Sequence, residues 1–62
     1  MSRDDAELSS LATALSELEQ RLAAAAKRYE GTHHDDVVTA LYQAETSARD
    51  AARDVERARN LL

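Results

Sequence analysis

Apolar residues recur along the first half of the chain at steps that alternate between three and four residues. This first stripe is Leu8, Leu11, Leu15, Leu18, Leu22, Ala25 and Tyr29. Such heptad spacing places the apolar side chains along one side of an α-helix. The second half carries a matching stripe of Val37, Leu41, Ala44, Ala48, Ala51, Val55, Ala58 and Leu62. The pattern predicts two helices, about 4–30 and about 36–61.

The segment between the stripes, about 31–35, is predicted to be a turn. Gly31 is the only glycine in the chain and suits the left-handed conformation that ends a helix. Lys27 and Arg28 precede it, where positive charge favours the last turn of a helix. With two helices and no predicted strand, the fold class is all-α. The short connection favours an antiparallel arrangement of the two helices. The prediction is one domain, residues 1–62, folded as a two-helix antiparallel coiled-coil hairpin.

Two registers of the hairpin keep the stripes facing each other. Pairing residues whose numbers sum to 66 sets a leucine opposite an alanine in five of seven layers, for example Leu18 opposite Ala48. This keeps the volume of each layer similar, so it is the preferred register. A tighter register, with sums near 63 and a connection at Gly31 and Thr32, is the alternative. The core is expected to contain Leu8, Leu11, Leu15, Leu18, Leu22 and Leu41.

A hairpin of 62 residues has one narrow core, and half of the stripe on helix 2 is alanine. Its burial barely offsets the entropy lost on folding, so a partner is expected. A second copy would complete a four-helix bundle, making the protein a homodimer. The predicted interface is the smoother flank, with Ala12, Ala26, Val38, Ala52, Glu19 and Glu45. The two glutamates are expected to form a solvated pair or to accept an arginine from a partner chain.

Polar residues on helix 2 suggest a second surface. Arg49, Arg53 and Arg57 follow one another at intervals of four and could contact phosphates or an acidic partner. Tyr42 is a further candidate for recognition. The main functional prediction is a non-enzymatic protein–protein interaction module that self-associates and presents helix surfaces to a protein partner, as scaffold, adaptor or regulator. The alternative is a ligand- or phosphate-binding regulator that uses the arginine row.

The histidine pair is the one candidate for metal chemistry. His33 and His34 would diverge on a helix, and in a loop they would need Asp35 or Asp36 as a third ligand. The chain has no cysteine, nucleophile–base pair or glycine-rich phosphate loop. No metal, cofactor or enzymatic activity is therefore predicted. The simpler interpretation is a polar turn in which His34 lies against Tyr29, with a pH-sensing role left open.

Charge and hydropathy restrict the partners further. A net charge of −4 without a basic region makes nucleic acid an unexpected partner. The longest apolar run, residues 22–26, is far shorter than the ~20 residues that span a bilayer. The first ten residues lack the apolar segment of a signal peptide, so a cytoplasmic location is expected. Thirteen alanines and seven arginines against one lysine suggest a bacterial genome rich in GC.

The turn also carries a resemblance. Tyr29-Glu30-Gly31 resembles the Trp-x-Gly turn of the small helical-hairpin proteins exported by type VII secretion. The resemblance implies a dimeric, secreted helical hairpin as a further functional alternative. This chain departs from that family in having tyrosine for tryptophan and in being shorter. It also lacks the Tyr-x-x-x-Asp/Glu export signal, because His33 and Thr46 stand four residues after its two tyrosines.

Overall fold

The computed structural model describes residues 3–62, which form two helices packed against each other. Helix α1 is Arg3–Tyr29 and helix α2 is Asp35–Asn60. The all-α hairpin predicted from the two stripes is confirmed. Every predicted boundary lies one residue later than the observed one, and residues 30–34 form the connection. The Cα atoms occupy 48 × 14 × 9 Å, so the molecule is a thin layer two helices wide.

The connection is closed by its own hydrogen bonds. Gly31 has φ +77°, and nothing lies within 4 Å of where its Cβ would be, so its role is conformational. The backbone N–H and the hydroxyl of Thr32 both donate to the carbonyl of Tyr29, at 3.2 and 2.6 Å. The same hydroxyl accepts from the backbone N–H of His34 at 3.2 Å. The rings of Tyr29 and His34 meet edge to face at 6.1 Å, which confirms their predicted contact.

The contact between the helices runs along a different line from the predicted one. Ala26 has no exposed surface and Ala12 is 5% exposed, whereas Leu11 and Leu18 are 47% and 45% exposed. The expectation that these two leucines lie in the core is therefore wrong. Alanine lets two helix axes approach closely, and α1 is rotated so that Ala12 and Ala26 face α2, whose one buried residue is Glu45. Leu11 and Leu18 consequently point to one side of the contact, while Leu8, Leu15 and Leu22 are half-buried beside it.

The register also differs from the preferred one. Residue 32 is the middle of the connection, so antiparallel geometry sets opposite each other residues whose numbers sum to about 64. The side chains of Asp5 and Arg59 obey this rule, with Arg59 Nε donating to Asp5 Oδ1 at 2.8 Å. The observed register is thus next to the tighter alternative, near 63, and two residues away from the preferred value of 66.

Candidate functional site

Helix α1 presents different chemistry on the two sides of its contact with α2. Ala12 and Ala26 are buried in the contact. By helical periodicity, the leucines of the first stripe lie on one side of this line. The other side carries polar residues at mirror-image positions. They are Ser9, Thr13, Ser16 and Gln20. The two sides of α1 are therefore sharply distinct.

Helix α2 also has an apolar side and a polar side. Two shallow grooves, each lined by residues of both helices, show that the polar sides of α1 and α2 lie on the same side of the layer. The first groove is lined by Ser16, Glu19, Arg49, Ala52, Arg53, Glu56, Arg57 and Asn60. The second is lined by Ala12, Thr13, Ser16, Glu17, Gln20, Ala52 and Glu56. Polar residues of both helices thus share one side of the layer, here called the polar face. The apolar stripes of both helices share the opposite side.

We call this opposite side the apolar face. It consists of Leu8, Leu11, Leu15, Leu18, Leu22, Ala25, Tyr29, Val37, Leu41, Ala44, Ala48, Ala51, Val55 and Ala58. Tyr29 is 39% exposed, and the two outward leucines, Leu11 and Leu18, are exposed still further. The remaining leucines and valines are only half-buried. One side of the layer is therefore apolar along both helices and stays partly exposed to solvent.

The centre of the polar face holds a guanidinium between two carboxylates. Arg49 Nε donates to Glu19 Oε1 at 2.5 Å, and its NH2 group donates to Glu45. Glu45 is 9% exposed and is the one buried charged residue among residues 3–62. The hydrogen bond and charge of Glu19, followed by the charge of Glu45, raise the pKa of Arg49 above its usual value. The two glutamates do come together, as expected, but the arginine between them belongs to the same chain.

Two further polar contacts join the helices near their ends. Arg59 pairs with Asp5, and this hydrogen bond raises the pKa of Arg59. At the other end the Tyr42 hydroxyl donates to the carboxylate of Glu30, which raises the pKa of Tyr42. Neither contact was predicted from the sequence. Asp5 and Arg59 each lie 27 residues from residue 32, the middle of the connection, so their contact becomes readable once the register is known. Glu30 and Tyr42 lie 2 and 10 residues from it, so their contact has no such signal.

The arginine row does not form an open anion site. Arg49 is held by two carboxylates, and Arg57 pairs with Asp54 at 3.0 Å on the exposed surface. Within residues 3–62, Arg53 alone of the three makes no ion pair, and Glu56 lines the same groove. With acidic residues interleaved, this arrangement favours pairing within the chain over phosphate binding. Tyr42 is half-buried and already bonded within the hairpin.

The predicted interface residues lie along the contact between the helices. Ala12, Ala26 and Glu45 are buried there, and the other three are half-buried. These three are Glu19, Val38 and Ala52. In the sequence analysis they were placed on an outer flank, where a second chain could reach them. The structure places the two alanines and Glu45 inside a single chain.

No known family or structure matches this chain. The absence holds for protein-family models, for curated proteins and for solved structures. The resemblance to type VII secretion substrates therefore rests on residues 29–31 alone. Among the described residues, no group of three or more acidic, histidine or cysteine side chains could hold a metal ion. Neither helix, over residues 3–60, is long and apolar enough to cross a membrane.

Proposed function

We propose that the protein is a non-enzymatic interaction module that self-associates through its apolar face. Two layers stacked by these faces form a four-helix bundle. The observation that carries the proposal is the position of the leucine stripe, which lies on one open side of the layer with Leu11 and Leu18 nearly half exposed. Removing this surface from water favours association by about 25 cal/mol for each Å² buried.

The size of the layer supports a second copy as the occupant. The Cα atoms span 48 by 14 Å, an outline of about 670 Å² before side chains are counted. Stable protein interfaces bury about 800 Å² on each partner, so one apolar face covered by another reaches that class. The face also matches itself in length and polarity, as a two-fold symmetric dimer requires.

In such a dimer the polar faces point outward on both sides of the bundle. Each presents a shallow groove with Arg53, Arg57 and Glu56 along one wall. Exposed arginines of this kind suit a polar protein partner, because they can donate paired hydrogen bonds to carboxylates. The bundle then acts as a scaffold or adaptor whose apolar faces hold the two copies together.

Sedimentation of a charged variant tests self-association. Replacing Leu11→Glu and Leu18→Glu places two carboxylates on the apolar face, where burial of charge is costly. We expect the native protein to sediment as two chains and the variant as one. The matched control is Thr13→Glu with Gln20→Glu, which adds the same charge at mirror-image positions of the polar face. This control should remain dimeric.

A native protein that sediments as a folded single chain at micromolar concentration would contradict the proposal. So would a Leu11→Glu, Leu18→Glu variant that keeps the mass of two chains. Helix content measured by circular dichroism identifies any variant that has simply unfolded.

A further inference from the structure

We infer that the two copies stack with their connections at the same end, so that α1 of each copy lies on α2 of the other. The inference rests on the self-association proposed above and adds the geometry of the dimer. It follows from how large and small side chains are divided between the two halves of the apolar face.

Two aligned layers related by a two-fold axis can stack face to face in two ways. An axis parallel to the helices places α1 on α2 of the second copy and brings both connections to one end. An axis across the helices places α1 on α1 and α2 on α2, with the connections at opposite ends. In both cases the stacked helices run antiparallel, so helix direction does not distinguish the two.

Side-chain size does distinguish them. The α1 half of the face carries five leucines and Tyr29, whereas the α2 half carries four alanines, two valines and Leu41. Helix axes pack 8–10 Å apart, and the distance depends on the side chains between them. Stacking α1 on α1 would set leucine against leucine, while α2 on α2 would set alanine against alanine. The leucine pair would hold the alanine pair apart and leave a gap.

Stacking α1 on α2 gives both pairs of helices the same spacing. A residue of α1 in one copy then lies level with the residue of α2 in the other copy whose number brings the sum to 64. Residues whose numbers sum to 66 are offset by two positions, or about 3 Å along the helix axis. At a sum of 66, five of seven layers set a leucine of one copy against an alanine of the other, for example Leu18 with Ala48 or Leu22 with Ala44. Within one chain the helices meet along a different line, so this matching of volumes remains available for a second copy.

A spin-label distance tests the arrangement directly. The chain has no cysteine, so His33→Cys introduces one labelling site, in the exposed connection. With both connections at the same end, the two labels of a dimer are separated by about one spacing between stacked helices, or roughly 10 Å, plus their tethers. With connections at opposite ends they are separated by about the 48 Å length of the layer. We expect the short distance in double electron–electron resonance.

Asn60→Cys is the matched variant, because Asn60 is exposed at the other end of α2. It should also give a short distance, and a mixture of the two labelled variants should add a long one. Long distances in both pure samples, with the mass of a dimer, would overturn the inferred arrangement and leave self-association intact. A single-chain mass with no dipolar coupling would contradict self-association itself.

Discussion

Ala26 has no surface exposed to solvent, although it lies in a layer only two helices wide. Its methyl group and that of Ala12 are buried in the contact between α1 and α2. Interiors are packed densely enough that even one additional methylene group at such a position is felt. At the scale of single residues, small side chains therefore set the distance between the helices.

Enlarging Ala26 should destabilise the hairpin. Ala26→Leu retains good helix propensity but forces extra volume into the contact, which typically costs about 1–3 kcal/mol. The matched control is Ala24→Leu, which makes the same change at an exposed position on α1. Urea denaturation followed by circular dichroism should show a lower midpoint for Ala26→Leu and little change for Ala24→Leu. Equal midpoints would show that Ala26 does not limit the helix spacing.

The two helices are aligned by polar contacts as well as by packing. Asp5–Arg59, Glu19–Arg49 and Glu30–Tyr42 are spread along the layer, one near each end and one near the middle. Alanines alone would allow one helix to slide along the other, because successive methyl groups are alike. A shift of the register would separate these charged groups from their partners, which costs free energy. The polar pairs therefore restrict how far one helix can slide along the other.

Removing the central guanidinium should weaken the hairpin. Arg49→Met keeps much of the side-chain volume but leaves Glu45, which is buried, and Glu19 as neighbouring unpaired carboxylates. We expect a lower thermal midpoint at neutral pH than in the native protein. Arg57→Met is the control, because the Arg57–Asp54 pair is largely exposed and such pairs contribute little. Equal losses in Arg49→Met and Arg57→Met would argue against unpaired carboxylates as the cause.

The sequence predicted where each helix begins and ends more accurately than which side of each helix faces the other. Gly31 and the heptad spacing placed each helix boundary within one residue, because both act locally. The stripe could not show whether Leu11 or Ala12 faces α2, since the two lie only about 100° apart on the helix. In a layer of two helices, a leucine can either pack against the other helix or lie on the open surface of the layer. Which of the two applies depends on how closely the alanines let the axes approach.

The site was harder to predict for the same reason. The sequence paired Ala12 with Ala52, Glu19 with Glu45 and Ala26 with Val38 across the hairpin, but placed these pairs on a flank outside the contact. With the register shifted by two residues, their line becomes the contact and the leucine stripe becomes the outer surface. That Arg49 of the same chain joins the two glutamates could be identified only from the folded structure.

At the scale of the whole molecule, folding and association are expected to be coupled. A single layer leaves much of its apolar surface in water, so a second copy adds stability by mass action. The thermal midpoint of the native protein should therefore rise with protein concentration, by about 5 °C for each tenfold increase in a dimer of this size. Calorimetry over two decades of concentration measures this. The Leu11→Glu, Leu18→Glu variant should show no such dependence, and a native midpoint independent of concentration would exclude coupled dimerisation.

The contacts that align the two helices lie along their contact line or on the polar face, whereas the leucines occupy the apolar face. Mutations among the leucines can therefore change what the protein associates with while the alignment within each chain is retained. Mutations that alter the outward grooves can, in turn, leave the apolar face intact. A layer divided in this way lets selection adjust the choice of partner and the internal alignment separately, although the chain is only two helices long.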